Sequence, residues 1–181
     1  MSPISADATP MDGAKLLRAI RVFERESLAG IHYAPFNLNS KNYRHIPKET
    51  ETWFDRLATL LQASAELTKQ GEHVQAVTCF KILYGLIDAM EDGQEIVFAE
   101  ELGSWMIPGD EKKFIGAYLK SLSVVATPEE FAAVAIPLIR RDSHSSFVNQ
   151  VHRSAWRVAS QAQRILLQNE LERRKISTEP K

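Results

Sequence analysis

The sequence predicts an all-α fold assembled from antiparallel helix pairs. Three observations carry that expectation. Apolar residues recur at spacings of three and four along most of the chain, the period of a helix with one buried face. The breaks between these stretches carry helix start and stop residues, among them Gly30, Gly71 and Thr127-Pro-Glu-Glu. No stretch alternates apolar and polar residues between hairpin turns, as a half-buried strand would.

The first predicted helix is "AKLLRAIRVFERESLAG", with Leu16, Leu17, Ile20 and Phe23 on one stripe and Gly30 at its end. About twenty residues without helical period follow, "AGIHYAPFNLNSKNYRHIPK", residues 29–48. Loops of that length are uncommon inside a compact domain. This one carries Tyr33, Phe36 and Tyr43 among Lys41, Arg44, His45 and Lys48, and its aromatics argue for a strap laid against the helices.

Two further helices follow. "ETWFDRLATLLQASAELTKQG" places Trp53, Leu57, Leu60, Ser64 and Leu67 on one side and stops at Gly71. "HVQAVTCFKILYGLIDAM" does the same with Ala76, Phe80, Leu83, Ile87 and Met90. A short helix is expected over residues 94–102, then the turn "GSWMIPG". Asp110 can cap the next helix, which carries Phe114, Tyr118, Leu119 and Leu122.

Thr127-Pro-Glu-Glu130 combines an N-cap threonine, a first-turn proline and a glutamate placed for a capping box. Pro137 is expected to kink that helix or end it early. A single last helix is expected from near "DSHSS" to Lys175, with Phe147, Val151, Ala155, Val158, Ala162, Ile165 and Asn169 on one side. Residues 11–175 then form one domain, with a disordered N-terminus over 1–10 and a disordered tail over 176–181.

Residues 57–90 resemble one tetratricopeptide unit. Gly71 sits at the turn, Ala76 is small where two helices must approach, Phe80 is the packing knob, and Ser64 is the small residue of the first helix. Leu60 stands at the usual Trp position and Asp88 where a Pro commonly closes the unit. A second register places Gly109, Phe114 and Tyr118 where Gly71, Ala76 and Phe80 stand, although Phe114 is not small. The resemblance implies a short, degenerate, solenoid-like helical-repeat domain.

At 181 residues the chain can bury about two-thirds of its unfolded surface without staples. A formal net charge of −1 gives no whole-molecule field toward nucleic acid or anionic membrane. One cysteine, Cys79, excludes an internal disulfide and suits a reducing compartment. The opening "MSPISADATP" is not a signal peptide, and no apolar run approaches the roughly 18 residues of a membrane span. A cytoplasmic location is expected.

Charge is unevenly spread. Residues 82–111 hold eight acids and no Lys or Arg; residues 138–181 hold nine bases and four acids, and residues 15–56 eight bases and five acids. Inside the acidic stretch, "DAMEDGQEIVFAE" looks like a calcium loop, with Asp88, Asp92 and a Gly at the sixth place. Calcium needs an oxygen ligand at the third place and a bidentate Glu at the twelfth. Those places hold Met90 and Ala99, and Glu100 falls one residue late. A metal is therefore not expected, and the stretch reads as a polar turn.

Other chemistry is equally poorly supported. Cys79 stands beside Phe80 on an apolar helix, the setting of a buried, unreactive thiol. Ser143, His144, Ser145 and Ser146 stand together, but Asp142 or Ser143 is needed as a helix cap, and neighbouring Ser and His seldom align for proton transfer. His32, His45, His73, His144 and His152 form no His-x-x-x-His or Glu-x-x-His pair. "GDEKKF" lacks the second Gly and the Lys-Ser/Thr end of a phosphate loop.

The expected function is a non-enzymatic protein–protein interaction or adaptor role, with no cofactor. Glu95, Glu100, Glu101, Trp105 and Met106 are the candidate partner-binding residues. An acidic face would attract a basic or amphipathic segment of another protein, and Trp is enriched among interface hot spots. Self-association through the acidic middle and basic ends is a close variant. One alternative is nucleic-acid binding through Arg153, Arg157 and Arg164 on the last helix. Another is a small-molecule sensor or small enzyme with a pocket under residues 29–48.

Overall fold

The computed structural model describes residues 10–29, 48–92, 110–142 and 150–174. These residues form seven helices, and no strand occurs among them. In chain order they are α1 (Gly13–Leu28), α2 (Lys48–Lys69), α3 (His73–Asp92), α4 (Asp110–Val125), α5 (Pro128–Asp142), α6 (Gln150–Val158) and α7 (Gln161–Arg173). The expected tails, nearly all of the 29–48 strap, the 94–102 helix and the "GSWMIPG" turn lie outside the described residues.

Most of each stripe on the first four helices becomes core, while Leu17 and Leu60 are only partly buried and the Met90 side chain lies outside those described. Leu16, Ile20 and Phe23 of α1, Trp53, Leu57, Ser64 and Leu67 of α2, and Ala76, Phe80, Leu83 and Ile87 of α3 are all buried. So are Phe114, Tyr118, Leu119 and Leu122 of α4. The buried side chains make one connected cluster. Among the described helices the most extensive pairings are α1 with α3 and α5 with α7. Between them α2 packs on α3, α4 lies against both α2 and α3, and α6 lies against α4 and α5. Among the described helices, extensive packing thus joins those one or two places apart in order.

The α2–α3 turn closes through glycine chemistry. Gly71 has φ +80°, a left-handed value in which other residues are strained. Gly71 N–H donates to the Thr68 carbonyl and Glu72 N–H to the Leu67 carbonyl, the paired bonds that end a helix at a left-handed glycine. The α5 start also follows its signal: Glu130 N–H donates to Thr127 Oγ1 (3.2 Å), and Thr127 N–H donates to Glu130 Oε2 (2.9 Å).

Two expectations meet a correction. Of the two outcomes expected of Pro137, a kink or an early end, the early end does not occur: the helix runs on to Asp142. Pro137 and Ala133, four residues before it, both lie on the exposed side, where water can take the hydrogen bond that proline forfeits. The predicted last helix is two helices, α6 and α7, separated at Ala159 and Ser160.

Ser160 causes that break. Its Oγ accepts from Gln163 N–H (3.2 Å) while its own N–H donates to Gln163 Oε1 (2.8 Å), a reciprocal cap that starts a new helix. The buried line therefore runs Val151, Ala155, Ala159, Gln163, Leu167 and Leu171. Ala162, Ile165 and Asn169, expected inside, are exposed.

Candidate functional site

The five residues expected to bind a partner, Glu95, Glu100, Glu101, Trp105 and Met106, lie outside the described residues. So does most of the calcium-like stretch, but its first five residues do not. Asp88 through Asp92 continue α3 to its C-terminus, so these places are helix rather than turn. No group of three or more His, Cys, Asp or Glu side chains placed to hold a metal occurs among the described residues.

Beside this acidic end of α3 stands an aromatic stack across the α3–α4 interface. Tyr118 lies 5.2 Å from Phe80 and 5.6 Å from Tyr84, ring centroid to centroid, and the planes are nearly parallel. Burial, reinforced by the negative charge of Asp88, pushes the Tyr118 hydroxyl up to about 12. It stays protonated at neutral pH and serves as a packing surface. Cys79 behaves likewise: burial pushes its thiol up to about 11, only partly offset by a hydrogen bond with Ser64 on α2. This is not a nucleophile's environment.

A serine–histidine pair does exist, at a place no sequence spacing revealed. His73 Nδ1 lies 3.0 Å from Ser121 Oγ, which lies 2.7 Å from Thr68 Oγ1. The three come from the start of α3, the end of α4 and the end of α2. Ser121 is fully buried, and its second partner is a hydroxyl rather than a carboxylate. A buried oxygen cannot meet a substrate, so the chain of hydroxyls ties three helix ends together. Ser143 to Ser146 lie outside the described residues.

The candidate phosphate-binding arginines divide into two kinds. Arg153 and Arg157, one turn apart on α6, are exposed, and neither forms an ion pair among the described residues. Arg164 is engaged within the protein. Its Nε donates to the Trp156 carbonyl (2.8 Å), its Nη2 to the Arg157 carbonyl (3.4 Å), and its guanidinium sits 6.0 Å from the Trp156 ring centroid. It thereby satisfies carbonyls at the end of α6 that have no helical partner. Arg173 and Arg174, further along, both pair with Glu170, whose carboxyl their hydrogen bonds and charge hold below its usual range.

Two buried polar side chains at this end of the molecule escaped the sequence reading. Gln163 Nε2 donates to the Ser123 and Ala126 carbonyls, both at 3.2 Å, so one side chain starts α7 and finishes α4. The Ser-x-x-Gln spacing signalled its first role, and nothing local signalled the second. His152 is 1% exposed on α6 with its ring edge-on to Trp156, centroids 6.2 Å apart.

No family model, curated protein or solved structure matches the chain. Among the described residues no helix is long and apolar enough to cross a membrane.

Proposed function

We propose that the chain is a non-enzymatic adaptor, a short stack of helix pairs that offers a charged face to another protein. The packing order carries this reading. Among the described helices, extensive contacts reach only those one or two places away in order, as in helical-repeat proteins, whose units contact their neighbours and whose long faces bind other chains. The α2–α3 pair supports a tetratricopeptide-like unit: Gly71 is left-handed at its turn, and Ser64, Ala76 and Phe80 are fully buried on the two helices.

The partner chemistry follows from charge. The acidic stretch over residues 82–111 contains Glu95, Glu100, Glu101, Trp105 and Met106, and it would draw in a basic or amphipathic segment or the basic end of a second copy. Charge governs the encounter rate and a buried aromatic governs residence. A partner recovered with the tagged chain is reconstituted from purified components and its kinetics measured against salt. Glu100→Lys with Glu101→Lys slows association and flattens its salt dependence. Trp105→Ala speeds dissociation, with a loss of about 2 kcal/mol or more for a hot spot. A partner whose kinetics ignore both changes overturns the reading.

One observation favours a second reading, nucleic-acid binding: Arg153 and Arg157 are exposed on α6 and form no ion pair among the described residues. Binding that weakens steeply with salt, and is lost in Arg153→Glu with Arg157→Glu, decides for it.

A further inference from the structure

We propose that His152 is a pH-sensitive latch: as a neutral ring it holds α6 on α4 and α5, and protonation releases α6 locally. The ring is 1% exposed, and its Nε2 has no hydrogen-bond partner among the described residues. A buried polar nitrogen without a partner is tolerable when neutral. Once protonated it becomes a buried cation, which must be paired or expelled.

No described neighbour offers the pairing charge. On its own helix the charged groups are Arg153 and Arg157, both exposed, and on α7 Arg164 faces Trp156. The described titratable side chains of α4 are Lys113, Tyr118 and Lys120; those of α5 are Glu129, Glu130 and Arg140. All but Tyr118 are exposed, and Glu130 is tied to Thr127. Burial alone lowers the His152 pKa from 6.5.

Local release is mechanically simple. α6 has nine residues, and its other fully buried side chains, Val151 and Ala155, are small. α7 has its own N-cap at Ser160 and its own packing on α5, so it can stay when α6 leaves. The clasp that must open is the pair of hydrogen bonds from Arg164 to the α6 carbonyls. Departure of α6 uncovers the faces of α4 and α5 beneath it.

The sign follows from the lowered pKa. Between the unfolded value and the lower docked value, the released helix binds a proton that the docked helix refuses. The docking stability is whole above the unfolded value and falls as pH drops below it, by up to about tenfold in the docking equilibrium per pH unit.

The test is hydrogen exchange of the full chain at about pH 7.5 and about pH 5.5, corrected for intrinsic rates, together with the wild-type imidazole titration by NMR. The expected result is a His152 ring titrating below the ordinary histidine value and α6 losing protection at the lower pH. α2 and α3 remain protected, and His152→Leu abolishes the α6 response. A wild-type ring titrating at or above the ordinary value overturns the proposal without any variant. So does loss of protection throughout the chain, or a pH response that persists in His152→Leu.

Discussion

The two ends of the molecule are held by different forces. Around α1, α2 and α3 the core is built from large apolar side chains. Phe23 stacks on Trp53 with ring centroids 5.5 Å apart, and Ile20, Leu57, Leu61, Leu67, Phe80, Leu83 and Ile87 are among the largest fully buried side chains. Polar groups there serve the packing. Trp53 Nε1 donates to Ser27 Oγ, which donates to the Phe23 carbonyl, both at 2.7 Å. On α6 and at its junction with α7 the buried groups are smaller or polar, Val151, His152, Ala155, Ala159 and Gln163, and large apolar burial resumes only further along α7, at Leu167 and Leu171. That end is joined by side-chain caps, Gln163 on α4 and Arg164 on α6. Apolar burial scales with area, whereas a hydrogen bond exchanged for water nets only about 1 kcal/mol. The first end is therefore the anchor and the second the part that can open.

The largest effect is expected in the anchor. Phe80→Ala removes a fully buried ring stacked on Tyr118 and should cost about 3–5 kcal/mol in chemical denaturation. Ala76→Leu overpacks a fully buried position on α3 by about 1–3 kcal/mol. Near-wild-type stability for both would mean that the helices pair differently.

At the other end the expected losses are smaller and of another kind. Gln163→Ala leaves the Ser123 and Ala126 carbonyls without their donor and should cost about 1–3 kcal/mol. Ser160→Ala removes only the cap acceptor and should cost about 1 kcal/mol. If Gln163→Ala costs less than Ser160→Ala, the amide's bonds to α4 contribute nothing and the contrast between the ends weakens. Arg153→Glu with Arg157→Glu should leave the melting temperature unchanged, because both side chains are exposed and form no ion pair among the described residues.

The anchor was also the more legible end. Its stripes keep one helical phase from start to stop, and large apolar residues mark most of that phase, as Trp53, Leu57 and Leu67 do on α2. The other end was misread at one point. A continuous period through residues 151–171 can be drawn either as one helix or as two. Ser160 and Gln163 decide for two, because their mutual hydrogen bonds stabilise a new start more than the apolar pattern resists it. With the helix broken, Ile165 turns outward. The joints escaped for another reason. His73, Ser121 and Thr68, or Gln163 and Ser123, are brought together by packing across dozens of residues, and no local spacing encodes them. The candidate partner face was legible only as charge and one Trp, and its residues lie outside those described.

Native-state hydrogen exchange at neutral pH, followed through low concentrations of denaturant, tests the contrast most directly. The account predicts that amides of α6 open at a lower free energy than those of α2 and α3, as a separate unit whose exchange precedes global unfolding. Convergence of all seven helices on one opening free energy, with α6 as well protected as α3, would contradict it.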